Sequence, residues 1–311
     1  MTGRIWTVAI IGGGVMGGDI ATSFASGGGR VYVMSPSRQT REALPARIRA
    51  GLEQLSRDPG LAANVTATGD LEALPWAEID LVIEAVTEDL PLKLRLFADL
   101  ERLARPDAIL ATNTSSFPIG EVGGQLRTRS RMLGMHYFMP AHVVPLVEVV
   151  KAEFTGDAVV EAVMAELRRL QKAPIRCNRD IAGFIGNRLQ HALMREALHL
   201  IESGVTDAEG VDTAVRFGFG FRFLACGPIL QKEMSGWDTH LAAGNTIYPT
   251  LHNGDRHGRM IHELVASGRL GTKTGEGLWK WTDETLAKTR ADYNRKLKAA
   301  FELLRQDLEA S

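Results

Sequence analysis

The chain has 311 residues, 45% hydrophobic and 23% charged, with a formal net charge of −1. That balance describes a globular protein of one large or two ordinary domains, at about 150 residues each, with no electrostatic case for nucleic acid or an anionic membrane surface. Cys177 and Cys226 form neither a metal spacing nor a disulfide framework, so the expected compartment is a reducing cytoplasm. The apolar stretch near the N-terminus is too short for a signal peptide, and nothing approaches the roughly 20 apolar residues of a transmembrane span.

The first element predicted is a buried strand, Val8–Ile11, followed at once by Gly12, Gly14 and Gly17 in G-x-G-x-x-G spacing and by a helix reaching Ser26. Strand, glycine turn and helix together read as a dinucleotide site. Gly12 permits the tight turn, Gly14 lets backbone approach a pyrophosphate, and Gly17 lets helix and strand pack closely. The N–H groups at the helix start, from Val15 and Met16, then face the phosphates. Arg30–Met34 is the second strand. The acidic residue that usually follows it in NAD-binding folds, where it bonds the ribose 2′-OH, is replaced by Ser35. With Ser37, Arg38 and Arg41 close behind, the segment offers hydroxyls and guanidinium groups to a 2′-phosphate, which shifts the cofactor from NAD toward NADP.

A helix is expected over Ala46–Arg57 and a strand over Val65–Thr68. Ile79–Val86 is a strand apolar on both faces, as a covered parallel sheet requires. Glu88–Leu100 has helical period through Leu92, Leu96, Phe97 and Leu100. Further strands are Ala108–Thr112, Met132–Phe138, Leu146–Val150 and Pro174–Asn178, with a helix over Gly156–Gln171. The alternation predicts an α/β fold, a Rossmann-type doubly wound parallel sheet, whose polar strand ends (Asn113, Ser115, His136) line the cofactor crevice. From Ile181 onward only helices are expected: Ile181–Glu202, Asp207–Phe217, about Arg256–Ser267 and Asp283–Leu308. The boundary is placed near Arg179, giving a dinucleotide-binding domain of residues 1–179 and an all-helical domain of residues 180–311 for substrate and dimerisation.

His136 ends a strand and Glu148 lies on the next, across a return bounded by Pro140 and Pro145. An imidazole beside a carboxylate makes a general base: the histidine takes a proton while the carboxylate fixes its tautomer and stabilises the imidazolium. Beside a nicotinamide, that base serves to take the hydroxyl proton when an alcohol is oxidised.

Several ordered segments resemble the L-3-hydroxyacyl-CoA dehydrogenases over nearly the whole chain. They are E-A-V-T-E-D-L-P-L-K-L-R-L-F (Glu84–Phe97), T-N-T-S-S-F (Thr112–Phe117), H-Y-F-M-P…L-V-E-V from His136 to Glu148, G-F-I-G-N-R (Gly183–Arg188) and G-R-L-G-T-K-T-G-E-G (Gly268–Gly277). The resemblance implies His136 as base and Glu148 as its partner. It also implies that Ser115 and Asn187 hydrogen-bond the reacting oxygen, and that Glu88 and Lys93 lie on the cofactor side. Donors around that oxygen suit the alkoxide-like charge of hydride transfer. The implied activity interconverts a 3-hydroxyacyl-type alcohol and its ketone with NAD or NADP; the family's own cofactor is NAD, and the expected assembly is a homodimer through the helical domain.

The departures concern substrate. Met139 stands where the family has asparagine, and the loop Ala141–Pro145 is more similar to that of relatives acting on gulonate, carnitine, diketo esters or pyridine aldehydes. The basic arm that holds CoA phosphates is reduced to Arg47, Arg49 and Arg57, and Lys232 and Glu233 alter the second-domain motif. The other β-hydroxyacid dehydrogenase family needs a lysine four residues before the helix asparagine, where this chain has Gly183. An inert cofactor-binding protein is the alternative outside enzymes; the intact Ser115, His136, Glu148 and Asn187 oppose it. His142 reads as an exposed loop residue, with contact to substrate as the alternative, and His252, His257 and His262 form no metal-binding set.

Overall fold

The first apolar run becomes β1 (Thr7–Ile11) of an eight-stranded sheet in this computed structural model, which describes residues 4–310. β2 (Arg30–Met34) and β3 (Val65–Thr68) lie on one side of it. On the other lie β4 (Leu81–Glu84), β5 (Ile109–Thr112), β6 (Met132–Tyr137), β7 (Leu146–Val150) and β8 (Ala173–Cys177), giving the order β3-β2-β1-β4-β5-β6-β7-β8. Neighbours are parallel except β6 and β7, which pair antiparallel. The doubly wound sheet is therefore present with a reversed two-strand edge, and the return across Pro140–Pro145 is what reverses it.

Five helices of this region are α1 (Val15–Ser26), α2 (Arg38–Gln54), α3 (Leu90–Leu103), the short α4 (Ile119–Gly123) and α5 (Asp157–Arg169). Strand alternation sorts their apolar faces into two cores. Val8 and Ile10 of β1 join Phe24 of α1, Ile48 of α2 and Leu167 of α5; Ala9 and Ile11 join Phe97 and Leu100 of α3 and Ile119 of α4. Phe97 is fully buried, a side chain worth about 1.5–3 kcal/mol in apolar transfer. A covered sheet of this kind leaves its strand ends as the place for polar chemistry.

Some boundaries differ from expectation for identifiable reasons. α2 starts at Arg38, eight residues before Ala46, because Ser37 caps it: its Oγ accepts the Thr40 N–H at 3.2 Å, and Pro45 is carried inside the helix. The helix expected from Ile181 starts only at Gly186, after Gly183 and Phe184 turn the chain with φ of 73° and 47°.

The chain divides into two compact units. The first runs to Gly186 and takes in the chain from Phe301 onward; the second is Asn187–Ala300, where the sequence had placed its boundary near Arg179. Helices from this point are α6 (Gly186–Glu202), α7 (Ala208–Ala214), a wide turn over Val215–Phe219, α8 (Gly220–Arg222), α9 (Pro228–Ser235), α10 (Trp237–Ile247), α11 (Arg259–Ala266) and α12 (Asp283–Ala310). α9 and α10 were not anticipated. The second unit buries little of its apolar surface: Phe217, Phe221, Ile229, Met234 and Leu241 are each between 64% and 73% exposed. Among the described residues no helix is long and apolar enough to cross a membrane.

Candidate active site

The glycine turn is built as its residue types require. Gly12 has φ of 113°, and a Cβ there would collide with the Ala85 carbonyl. A Cβ on Gly17 would fall on the Gly12 carbonyl oxygen, so α1 can approach β1 only without one. Gly14 is different: a Cβ there would meet no protein atom within 4 Å. Gly14 is also the N-cap of α1 and supplies no side-chain cap; the first turn holds no acidic residue, and exposed Val15 and half-buried Met16 open the helix. An uncapped helix start with free space over its glycine fits a pyrophosphate. Arg47 of α2 braces the turn from below, donating to the carbonyls of Gly13, Gly14 and Val15 at 3.2–3.3 Å. That guanidinium is engaged in the turn itself.

The groups that pointed toward a 2′-phosphate are engaged elsewhere. Ser35 is buried beneath Gly13, and Ser37 caps α2. Arg38 pairs with Glu42 at 2.7 Å, and Arg41 donates to the carbonyls of Ser35 and Pro36 at 2.6 and 2.9 Å. Arg41 thus braces the second strand's exit, and Arg38 is paired along its own helix.

A buried charge network lies at the ends of β4 and β5. Glu84, the last residue of β4, is fully buried and accepts from the Lys93 ammonium at 2.7 Å, the Thr112 hydroxyl at 2.7 Å and the Val86 N–H at 2.7 Å. Lys93, only 1% exposed, also lies 3.4 Å from Glu88. Glu88 in turn accepts from the Thr114 hydroxyl at 3.0 Å and the Ser115 N–H at 2.8 Å. Lys93 is therefore held inside the protein between two carboxylates, and Glu88 fixes the backbone of Ser115. The Asn113 side chain accepts the Tyr137 N–H at 2.9 Å and so ties β5's end to β6 beside His136. Sequence reasoning missed Glu84; a carboxylate inside an otherwise apolar strand was the available signal.

His136 and Glu148 are directly opposed residues of the β6–β7 pair. The imidazole Nδ1 lies 2.6 Å from Glu148 Oε2, and Nε2 lies 3.0 Å from Ser115 Oγ. The other Glu148 oxygen accepts the N–H groups of Ile185 and Gly186, both at 2.8 Å. Burial pushes the Glu148 carboxyl up, but the bonds from His136, Gly186 and Ile185 together outweigh it and hold the group below its ordinary value. An ionised Glu148 can only accept, so Nδ1 carries the proton and Nε2 presents its lone pair. Phe138 and Phe184 wall the ring at centroid distances of 4.8 and 5.4 Å. The structure thus brings His136, Glu148 and Ser115 together, and the arrangement can take a proton at Nε2. Asn187 is the first residue of the other unit, in the first turn of α6.

Residues 7–181 match the model of the 3-hydroxyacyl-CoA dehydrogenase NAD binding domain, and residues 183–281 that of the same family's C-terminal domain. The chain belongs to the 3-hydroxyacyl-CoA dehydrogenase family. It is an NAD-dependent oxidoreductase of the type acting on CH–OH groups, and its first region is an NAD-binding domain. Among curated proteins it is 33% identical over 310 residues to a 5-formyl-3-hydroxy-2-methylpyridine 4-carboxylate 5-dehydrogenase of Mesorhizobium japonicum, covering 96% of this chain and 98% of that one. Among solved structures, an NAD+-dependent dehydrogenase of the same name superposes with a TM-score of 0.89 at 31% identity, covering 98% and 99% of the two chains. A (S)-3-hydroxybutyryl-CoA dehydrogenase of Ralstonia eutropha gives 0.72 at 30% identity, covering 90% and 100%.

Proposed function

We propose that this family member oxidises a 3-hydroxyacyl-type alcohol to its ketone, and reduces the ketone in reverse, with His136 as the base. The observation that carries this reading is the Glu148–His136–Ser115 chain of contacts at 2.6 and 3.0 Å. Bound NAD supplies the hydride acceptor at its nicotinamide ring. On the protein's side, Nε2 of His136 takes the hydroxyl proton, Glu148 stabilises the imidazolium, and the Ser115 hydroxyl holds the reacting oxygen as charge develops on it. Asn187 is assigned to the same oxygen. Gly12, Gly14, Gly17, Val15 and Met16 hold the pyrophosphate; Glu88, Lys93 and Asn113 shape the cofactor side. We assign residues 1–179 to cofactor binding and residues 180–311 to substrate and dimerisation, in a cytoplasmic homodimer. The large apolar side chains left exposed on the second unit, Phe217, Phe221, Ile229, Met234 and Leu241, support that assembly.

One observation favours a smaller substrate without CoA. The pyridine-carboxylate dehydrogenase matches the whole chain with a TM-score of 0.89, against 0.72 for the hydroxybutyryl-CoA enzyme. Engagement of Arg47 with the glycine turn, where a CoA arm would need basic groups, agrees with it. A panel of acetoacetyl-CoA, free 3-hydroxy acids and pyridine aldehydes, each with NADH or NAD, separates the two by nicotinamide absorbance. Within the panel, His136→Ala is expected to lower turnover by about 10²–10⁴-fold while NADH still binds. Full activity in that variant would remove the assignment. Sedimentation at micromolar concentration tests the dimer, and a monomer there would overturn it.

A further inference from the structure

Lys172, the residue immediately before β8, is a buried ammonium with no place in the chemistry above. It is 5% exposed, and its Nζ donates to three backbone carbonyls: Ala141 at 2.6 Å, and His142 and Val144 at 3.0 Å each. Three N–H bonds meet three acceptors, and all three acceptors belong to the single loop joining β6 to β7. The same loop is held from the other side by α1. Asp19 accepts the Ala141 N–H at 3.1 Å, and the Ser23 hydroxyl donates to the Ala141 carbonyl at 3.3 Å. His142 donates from Nε2 to Gln54 of α2 at 2.9 Å, with its Nδ1 3.4 Å from Asp19.

We infer that Lys172 is a positioning residue for the His136–Glu148 hairpin: it pins the hairpin's loop to the segment entering β8, while Asp19 pins the same loop to the helix that carries the glycine turn. The loop begins at Phe138, whose ring stands against His136 and packs over Gly186, one of the two N–H donors to Glu148. A loop that loses its ammonium keeps the Ser23 hydroxyl on the Ala141 carbonyl but loses the Lys172 donor at the His142 and Val144 carbonyls, and must rearrange to satisfy them. Phe138, the wall of the imidazole, moves with it. The glycine turn's own contacts run to Arg47 and to the β1 and β4 ends, and none of them is made by Lys172. Loss of Lys172 therefore degrades alignment of the base while leaving cofactor affinity in place. The charged and titratable groups on the surrounding elements are Asp19 on α1, whose field favours the cation, His142 in the loop, and Glu166 on α5, itself paired with Arg169.

This inference rests on His136 being the base, and the test keeps the two apart. Lys172→Met preserves the length of the side chain and removes its donors; Asp19→Ala removes the opposing pin. In the full chain with NADH and acetoacetyl-CoA, Lys172→Met is expected to lower kcat about 10- to 100-fold, the cost of a misplaced catalytic group, with the NADH Kd within about twofold of the parent. Read without any substrate, hydrogen exchange of the NADH complex should show lost protection at the amides of Ala141, Val143 and Val144. A folded Lys172→Met protein with unchanged kcat, or with unchanged loop protection, overturns the proposal. Should Lys172→Met fail to fold, Asp19→Ala decides by the same two readouts. An inactive His136→Ala beside a fully active Lys172→Met removes this inference alone, whereas an active His136→Ala removes the base assignment.

Discussion

Replacing Glu148 by glutamine isolates the carboxylate's charge from its shape. Glu148 receives three hydrogen bonds: two backbone N–H groups on Oε1 and the His136 Nδ1–H on Oε2. Glutamine has one carbonyl oxygen, and the two backbone donors, at 2.8 Å each, claim it. Its NH2 then faces Nδ1, which must accept instead of donate, so the ring proton moves to Nε2. Nε2 is the atom 3.0 Å from Ser115, where a base needs its lone pair. The variant therefore loses most of the general-base contribution, about 10²–10⁴ in kcat, equivalent to about 3–5 kcal/mol of barrier. NADH binding is untouched because the change lies outside the glycine turn. The assay is kcat for nicotinamide turnover at saturating NADH and acetoacetyl-CoA, with the His136 tautomer read by nitrogen NMR. A Glu148→Gln protein that retained kcat within about threefold, or kept its proton on Nδ1, would refute the reasoning.

The second and third glycines of the motif should fail differently. Gly17→Ala places a Cβ on the Gly12 carbonyl, so thermal stability and NADH binding are both expected to fall; an unchanged melting temperature would contradict this. Gly14→Ala meets no protein atom, so stability should hold within about 0.5 kcal/mol while the NADH Kd rises at least tenfold or so, which calorimetry would check. Burial lowers the Lys172 ammonium to about 7 against the supporting charge of Asp19, below the ordinary value near 10.4. Between those values the unfolded chain holds a proton that the folded chain lacks, so the folded state gains stability as pH rises through that window, by at most about 1.4 kcal/mol per unit. Urea midpoints of the parent and Lys172→Met should diverge over that window, and parallel curves would count against it. Glu148 acts in the same sense but in the acid range: its carboxyl is held below its ordinary value, so its contribution is present above the unfolded value near 4.3 and is lost as pH falls through the folded one. A Glu148→Gln protein should lack that component of acid denaturation.

Legibility in the sequence followed how local the signal was. The strands Arg30–Met34, Val65–Thr68 and Leu146–Val150 were readable to the residue because each is a short β-rich run closed by turn residues. The glycine turn was readable from its spacing after a buried strand, although only Gly17 answers a steric demand set within a few residues: the obstacle to Gly12 is the distant Ala85 carbonyl, and Gly14 faces open space. Charges that depend on tertiary partners were not readable. Arg38 and Arg41 look free in sequence, and only the fold spends them on Glu42 and on two carbonyls. Lys172 looks like a solvated residue after a helix, and only packing encloses it. α9 and α10 were missed although Gly227-Pro228 is a helix-start signal, because Gly236, with φ of 90°, interrupts the apolar period between them.

The twelve-residue interval from His136 to Glu148 shows why one reversed strand pair matters in an otherwise parallel sheet. In an antiparallel pair, directly opposed residues share a face with Cβ atoms about 4.5–5.5 Å apart, close enough for an imidazole and a carboxylate to bond directly. Parallel neighbours are joined by a crossover of a dozen or more residues, usually a helix, and cannot be returned by a short loop. A loop that turns through Pro140 and Pro145 makes the opposition possible, and the pairing His136↔Glu148 fixes it in register. A one-residue slip would turn Glu148 to the other face and leave His136 without its partner. The register is therefore part of the chemistry, and the Lys172 and Asp19 contacts at the loop act on the element that sets it. Inserting one glycine after Ala141 should accordingly lower kcat more than it lowers NADH affinity, although the insertion touches neither His136 nor Glu148.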